Sequence, residues 1–133
     1  MDLAPPIACI PPGERRVILS AGQEGVWVAA GLDDRAAAAY AMVFAFDADG
    51  AVDLALLERT LDVLQDRHEV LRARVVDEGG GPRLALHAPG SVARIRVARR
   101  SGTLQAVADA EAARAIDLAA APLMQVFHVQ PAP

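Results

Sequence analysis

The sequence has no lysine; all thirteen of its basic residues are arginine. No local chemistry demands arginine at thirteen separate positions, so this reads as a bias of composition. A single cysteine, Cys9, excludes an internal disulfide and a cysteine-based zinc site. Aromatic residues make up only 4% of the chain, so a core has to be built from Ala, Leu and Val. Positive charge is in deficit: the formal net charge is −4, which argues against a nucleic-acid surface and against an anionic membrane surface. No apolar run approaches the roughly 18 residues of a membrane span. The N-terminus lacks the basic start and apolar block of a signal peptide, and the expected location is the cytoplasm.

What is present fits one folded domain. The chain has 133 residues, 53% hydrophobic and 23% charged, enough apolar surface for one core and too little charge for disorder. Residues 1–14 carry Pro5, Pro6, Pro11, Pro12 and Gly13 and read as a Pro-rich leader, laid on the domain through Ile7 and Ile10. Residues 15–133 form the domain.

Arg16 to Leu19 reads as a short strand. Ser20-Ala21-Gly22-Gln23 spells a capping box for a helix that runs to Ala30, with Gly31 as its stop and Val26, Trp27 and Ala30 on its apolar side. Ala36 to Ala39 fits either a helix or a loop. Tyr40, Met42, Phe44 and Phe46 alternate with Ala41, Val43 and Ala45, which predicts a strand covered on both faces. Asp47 to Gly50 turns the chain.

The clearest pattern comes next. Leu54, Leu57, Leu61 and Leu64 recur at steps of three and four, behind Asp53 as N-cap, and predict a helix over 53–66. After Leu71 the period becomes two, predicting strands over 70–76 and 83–88 around a Gly-rich hairpin loop at 77–82. That loop lacks the Lys-Ser/Thr and the following helix of a phosphate-binding loop. Ala93, Ile95 and Val97 predict a third strand of the same local sheet. A helix over Leu104 to Ala115, capped by Ser101 or Thr103, and a last strand over Leu123 to Val129 complete the order β-α-β-α-β-β-β-α-β. The fold class is α/β, an α+β sandwich with helices packed on a mixed sheet.

Three blocks of this pattern resemble nonribosomal peptide synthetase condensation domains. Leu19-Ser20-Ala21-Gly22-Gln23-Glu24-Gly25-Val26-Trp27 resembles their first core motif. Arg67-His68-Glu69-Val70-Leu71-Arg72 matches the second, R-H-E-x-L-R, at every fixed position. Ile116-Asp117-Leu118 through Ala121-Pro122-Leu123 looks like the lead-in to their central strand, and Tyr40 and Gly50 to Asp53 fall in their usual places. The resemblance spans about residues 15–130. It implies one half of a chloramphenicol-acetyltransferase-like fold, the N-terminal subdomain of an enzyme that joins two carrier-protein-bound thioesters through a peptide bond.

In that family the catalytic motif is H-H-x-x-x-D-G, and it would lie beyond Pro133. The expectation is therefore a truncated subdomain with no catalytic residue of its own, inactive alone. The short leader suggests a domain that opens its protein and receives its donor in trans. Gly25 before Val26-Trp27 leans toward starter-acyl or D-residue-accepting types. The resemblance makes Arg67 the active-site support, clamping the motif's aspartate. The plainer reading of Arg67 is an exposed cation at a helix C-terminus. His68 and Arg72 are further support positions; His68 reads more simply as a partly buried helix-end histidine, and Glu69 and Arg72 as scaffold salt-bridge partners. Ser20, Gln23, Trp27 and Tyr40 are motif or scaffold residues, with Trp27 in the core. His87 and His128 are too isolated for a metal site and read as sheet-surface residues.

No cofactor is expected on the chain itself; 4′-phosphopantetheine belongs to the partner carrier proteins. The expected partners are donor and acceptor carriers, the remainder of the condensation domain, and a second copy through the cut edge. The alternatives are a non-catalytic carrier-docking module, or half of a coenzyme-A-dependent acyltransferase, an epimerisation domain or a cyclisation domain.

Overall fold

The computed structural model describes residues 14–130. The Pro-rich leader with Ile7 and Ile10, and Pro131 to Pro133, lie outside the described residues.

A short strand, β1 (Arg15–Ile18), leads into helix α1 (Ala21–Ala30). The capping box forms as its residues dictate: Gln23 N–H donates to Ser20 Oγ at 3.3 Å, and Ser20 N–H donates to Gln23 Oε1 at 2.9 Å. Gly31 ends the helix with ordinary right-handed backbone, φ −77°. The run that fitted either helix or loop is helical: α2 (Asp34–Ala38) forms because Asp33 Oδ1 accepts the Ala36 N–H at 2.7 Å.

Helix α3 (Leu54–Arg67) starts at Asp53, whose Oδ1 accepts the Leu56 N–H at 2.9 Å. It ends at His68, followed by a 3-10 turn over Glu69–Arg72. The hairpin β2 (Ala73–Asp77) and β3 (Pro82–Leu86) turns through Gly79 and Gly81, at φ +85° and +89°, values that a side chain would strain. β3 lies between β1 and β2 in an antiparallel sheet, with Arg15, Leu86 and Ala73 in one row and Val17, Leu84 and Val75 two rows on, on the same face. Ala73, Val75, Ala85, Leu86 and Leu61 are buried and form the core of this half.

The second half is a βαβ unit. β4 (Val97–Ser101) pairs in parallel with β5 (Val126–Gln130), and α4 (Leu104–Ala112), capped by Thr103, makes the crossover that parallel strands need. The helix stops three residues short of Ala115. One main-chain bond ties this half to the first: Val75 N–H donates to Leu118 C=O at 2.7 Å.

The mixed α/β architecture expected from the sequence is present, but its strands divide between two small sheets, and two predicted strands are absent. Tyr40 and Ala41 belong to the turn that leaves α2, their N–H groups donating to Ala37 and Ala38 C=O, and residues 42–46 lie in no described sheet. Residues 42–46 make no backbone hydrogen bond among the described residues, and Met42, Phe44 and Phe46 are 81%, 73% and 81% exposed. Alternation favours extended backbone, but a strand also needs a neighbour, and none of the described elements supplies one.

The Ala93–Val97 stretch does not join the β2–β3 hairpin; only Val97 is in a strand, and that strand belongs to the other sheet. Side chains of α3 take its main-chain groups instead. Gln65 is 1% exposed; its Nε2 donates to Ala93 C=O at 2.9 Å and its Oε1 accepts Ile95 N–H at 3.2 Å. Glu58 Oε1 accepts Val97 N–H at 3.1 Å. One primary amide thus does what a neighbouring strand does, donating to a carbonyl and accepting from an amide.

Candidate functional site around Arg67

Three carboxylates on one face of α3, Glu58, Asp62 and Asp66, together with the amide of Gln65, fall at steps of four, three and one, so all four point to the 93–97 strap. Asp66 takes both terminal nitrogens of Arg94, at 2.7 and 3.2 Å, and Asp62 takes Arg96 at 2.8 Å. The bond from Arg94 holds the Asp66 carboxyl below its ordinary range, and Asp66 in turn raises Arg94. These contacts fix the helix about its axis. The sequence carried a signal for them that the leucine count overlooked: an acid stripe on α3 facing the alternating arginines 94 and 96.

Arg67 leaves α3 on another side. It is exposed, the last helical residue, and makes no hydrogen bond or ion pair among the described residues. Val63 and Leu64, one turn earlier and on the same side, are exposed too, as are Val70 and Leu56. The surface around Arg67 is therefore apolar with a guanidinium at its edge.

The expectation of a partly buried, hydrogen-bonded His68 is not met. His68 is exposed; its backbone caps α3 through a 2.8 Å bond from its N–H to Leu64 C=O, and its extended conformation, φ −107°, turns the side chain out of the leucine row.

Arg72 departs from expectation in the opposite way. It is buried and meets carbonyls where a carboxylate was expected: Gln65 C=O, Asp66 C=O at 2.9 Å, and His87 C=O at 2.9 Å from Nε. The last carbonyls of a helix have no partner within it, and a cation placed on them also meets the negative end of the helix dipole. Arg72 thus fixes the turn of α3 from which Arg67 departs. Glu69 does form the scaffold ion pair, with Arg15 of β1.

The remaining sequence candidates lie elsewhere. Ser20 and Gln23 are spent on the helix cap. Trp27 is half-buried beside Leu32 and Leu118, in a shallow apolar trough. Tyr40 is exposed at the start of the unpaired stretch. His128 lies in β5 with Nδ1 buried and without a partner among the described residues. His87 is not a bare sheet-surface residue: its side chain is 12% exposed and Nε2 accepts a 3.1 Å bond from Arg74 Nε. No group of three His, Cys, Asp or Glu side chains gathers to hold a metal ion among the described residues. No described helix is long and apolar enough to cross a membrane.

The stretch that carries these parts, from the strand before α1 to the last strand, matches a known family. A family model described as Condensation domain matches residues 13–132. The chain belongs to the condensation-domain family. Condensation domains work with carrier-protein partners, and they are components of nonribosomal peptide synthetases. Among curated proteins no match is found. Within this condensation-domain chain, the hexapeptide Arg67 to Arg72 divides its labour: Glu69 and Arg72 build the scaffold, while Arg67 and His68 are left facing outward.

Proposed function

We propose that this chain is the N-terminal part of a condensation domain that forms a peptide or amide bond between two carrier-protein-bound thioesters in the cytoplasm. In that reaction the acceptor amine attacks the donor thioester carbonyl, the thiol departs, and the amine loses a proton to a general base. The observation that carries the reading is Arg67, a guanidinium without a partner among the described residues, at the edge of an exposed apolar face. Such a face suits a protein surface that brings both apolar side chains and a carboxylate, which the guanidinium would clamp with two parallel bonds. The remainder of the condensation domain, with its H-H-x-x-x-D-G aspartate, is that surface. The unpaired stretch 40–46 then gains its neighbouring strand from the same source.

On this reading the chain is inactive by itself. His87 is engaged by Arg74, and neither His68 nor His128 stands in an H-H-x-x-x-D-G setting. The phosphopantetheine arms belong to the carriers and enter as substrate. The deciding experiment supplies loaded donor and acceptor carriers to the chain alone and to the chain mixed with the complementary part of a condensation domain. Amide formation is expected only in the mixture, and Arg67→Ala is expected to reduce it far more than His68→Ala. Turnover by the chain alone at the rate of an intact domain would overturn the reading.

A second reading has its own support. The exposed, unpaired 40–46 stretch is an invitation to pair with another copy. Self-association that rises with concentration, seen by light scattering, supports it; a monomer at every concentration removes it.

A further inference from the structure

His87 stands one residue beyond β3, the central strand of the antiparallel sheet, between a residue of the edge strand β2 and the residue just ahead of the edge strand β1. Arg74 of β2 donates from Nε to His87 Nε2 at 3.1 Å. Glu14, just ahead of β1, places Oε2 3.9 Å from His87 Nδ1. The backbone of His87 is held as well: its N–H donates to Arg72 C=O at 3.3 Å, and its C=O accepts from Arg72 Nε at 2.9 Å. An arginine nitrogen only donates, so Nε2 must present a lone pair, and the single ring proton of the neutral imidazole sits on Nδ1, toward Glu14.

We propose that His87 is a proton-dependent clasp: when neutral it ties β2 to β3 through Arg74, and when protonated it gives up Arg74 and holds Glu14 ahead of β1 instead. The exchange follows from where the second proton must go. It lands on Nε2, the atom that accepts from Arg74, so the bond cannot survive, and the imidazolium then faces a guanidinium at close range. On its other side the ring faces a carboxylate, and the weak 3.9 Å approach becomes an ion pair.

The groups around the ring favour that outcome. Arg74 faces it from β2, Glu14 from the segment before β1, and Arg72 from the 3-10 turn through main-chain bonds. Arg16 of β1 binds Glu14 and also Glu78 of the hairpin loop. Arg16 holds the Glu14 carboxyl below its ordinary range, with His87 and Arg74 adding to the effect. The consequence reaches the functional face. β2 begins one residue after Arg72, which grips the last turn of α3, so loosening β2 bears on the backbone from which Arg67 projects.

The test needs no activity. A long-range 1H–15N spectrum of the whole chain at neutral pH should show His87 with a bare Nε2 and a protonated Nδ1. The commoner tautomer, protonated at Nε2, would overturn the proposal. From about pH 8 to about pH 5, the span over which histidine ordinarily changes charge, amide protection in β2, corrected for intrinsic exchange, should fall about fivefold, the worth of one side-chain hydrogen bond. His87→Gln keeps an acceptor near the Nε2 position that gains no proton, and should abolish that acid response. An undiminished response in His87→Gln would sink the clasp. Should that variant not fold, the tautomer of the unaltered chain still decides.

Discussion

Residues 40–46 and residues 73–77 carry the same kind of message and meet different fates. Both alternate, both are rich in β-formers, and both follow a helical segment. The second becomes β2, with Ala73 and Val75 buried against the core; the first joins no described sheet and leaves Met42, Phe44 and Phe46 exposed. The difference is the neighbour. β2 has β3 beyond a loop of four residues, in a hairpin whose glycines make the reversal inexpensive, while the stretch 40–46 is followed by a helix and has no strand beside it among the described residues. Periodicity writes a preference for extended backbone, and pairing has to be supplied by another piece of chain.

The sharpest way to break this comparison is to put the same charge in both stretches. Val75→Asp buries an unpaired carboxylate in a paired strand and should cost about 4 kcal/mol or more, enough to abolish a cooperative urea transition. If Val75→Asp folds normally, the account of the core is wrong. Next in size is Gln65→Ala, which removes the side chain that stands in for a strand along 93–95. The Ala93 carbonyl and Ile95 amide lose their partner, and stability should fall by about 2–4 kcal/mol in the same measurement.

A smaller effect separates the strap's charges from its amide. The Asp66 carboxyl lies below its ordinary range in the fold, because Arg94 binds the ionised form. Its contribution is therefore complete above the unfolded carboxyl's value and is lost as pH falls through the folded one. Stability should decline with acid across that window, and Asp66→Asn should flatten this part of the profile in urea titrations at several pH values. The pair is solvent-exposed, so the change is modest. Smallest of all is Phe44→Asp, the counterpart of the first test. It should alter stability by no more than about 0.5 kcal/mol while lowering any concentration-dependent association, read by light scattering. A large loss of stability from Phe44→Asp would mean that 40–46 is packed after all.

Much was legible because it is local. Ser20 with Gln23, Asp33, Asp53 and Thr103 each cap a helix within three residues of themselves, and the hairpin glycines sit where the backbone takes positive φ. The leucine stripe was legible only in part. Leu61 is buried, but Leu64 is exposed, because the polar residues Glu58, Asp62, Gln65 and Asp66 settle which way the helix faces. Arg67 and Arg72 show the same division at the site. Two arginines of one motif look alike in sequence; one is buried on helix carbonyls and the other is exposed, and only the 3-10 turn between them decides which is which.

The sequence by itself determined the family, the helix starts, the hairpin turn and the alternations, since each depends on residues a few positions apart. The tertiary structure alone decided that Gln65 would replace a strand, that His87 would meet Arg74 and Glu14, and that 40–46 would lie uncovered. Those outcomes depend on groups far apart in sequence competing for the same hydrogen bonds, and a pattern of neighbours does not record who wins that competition.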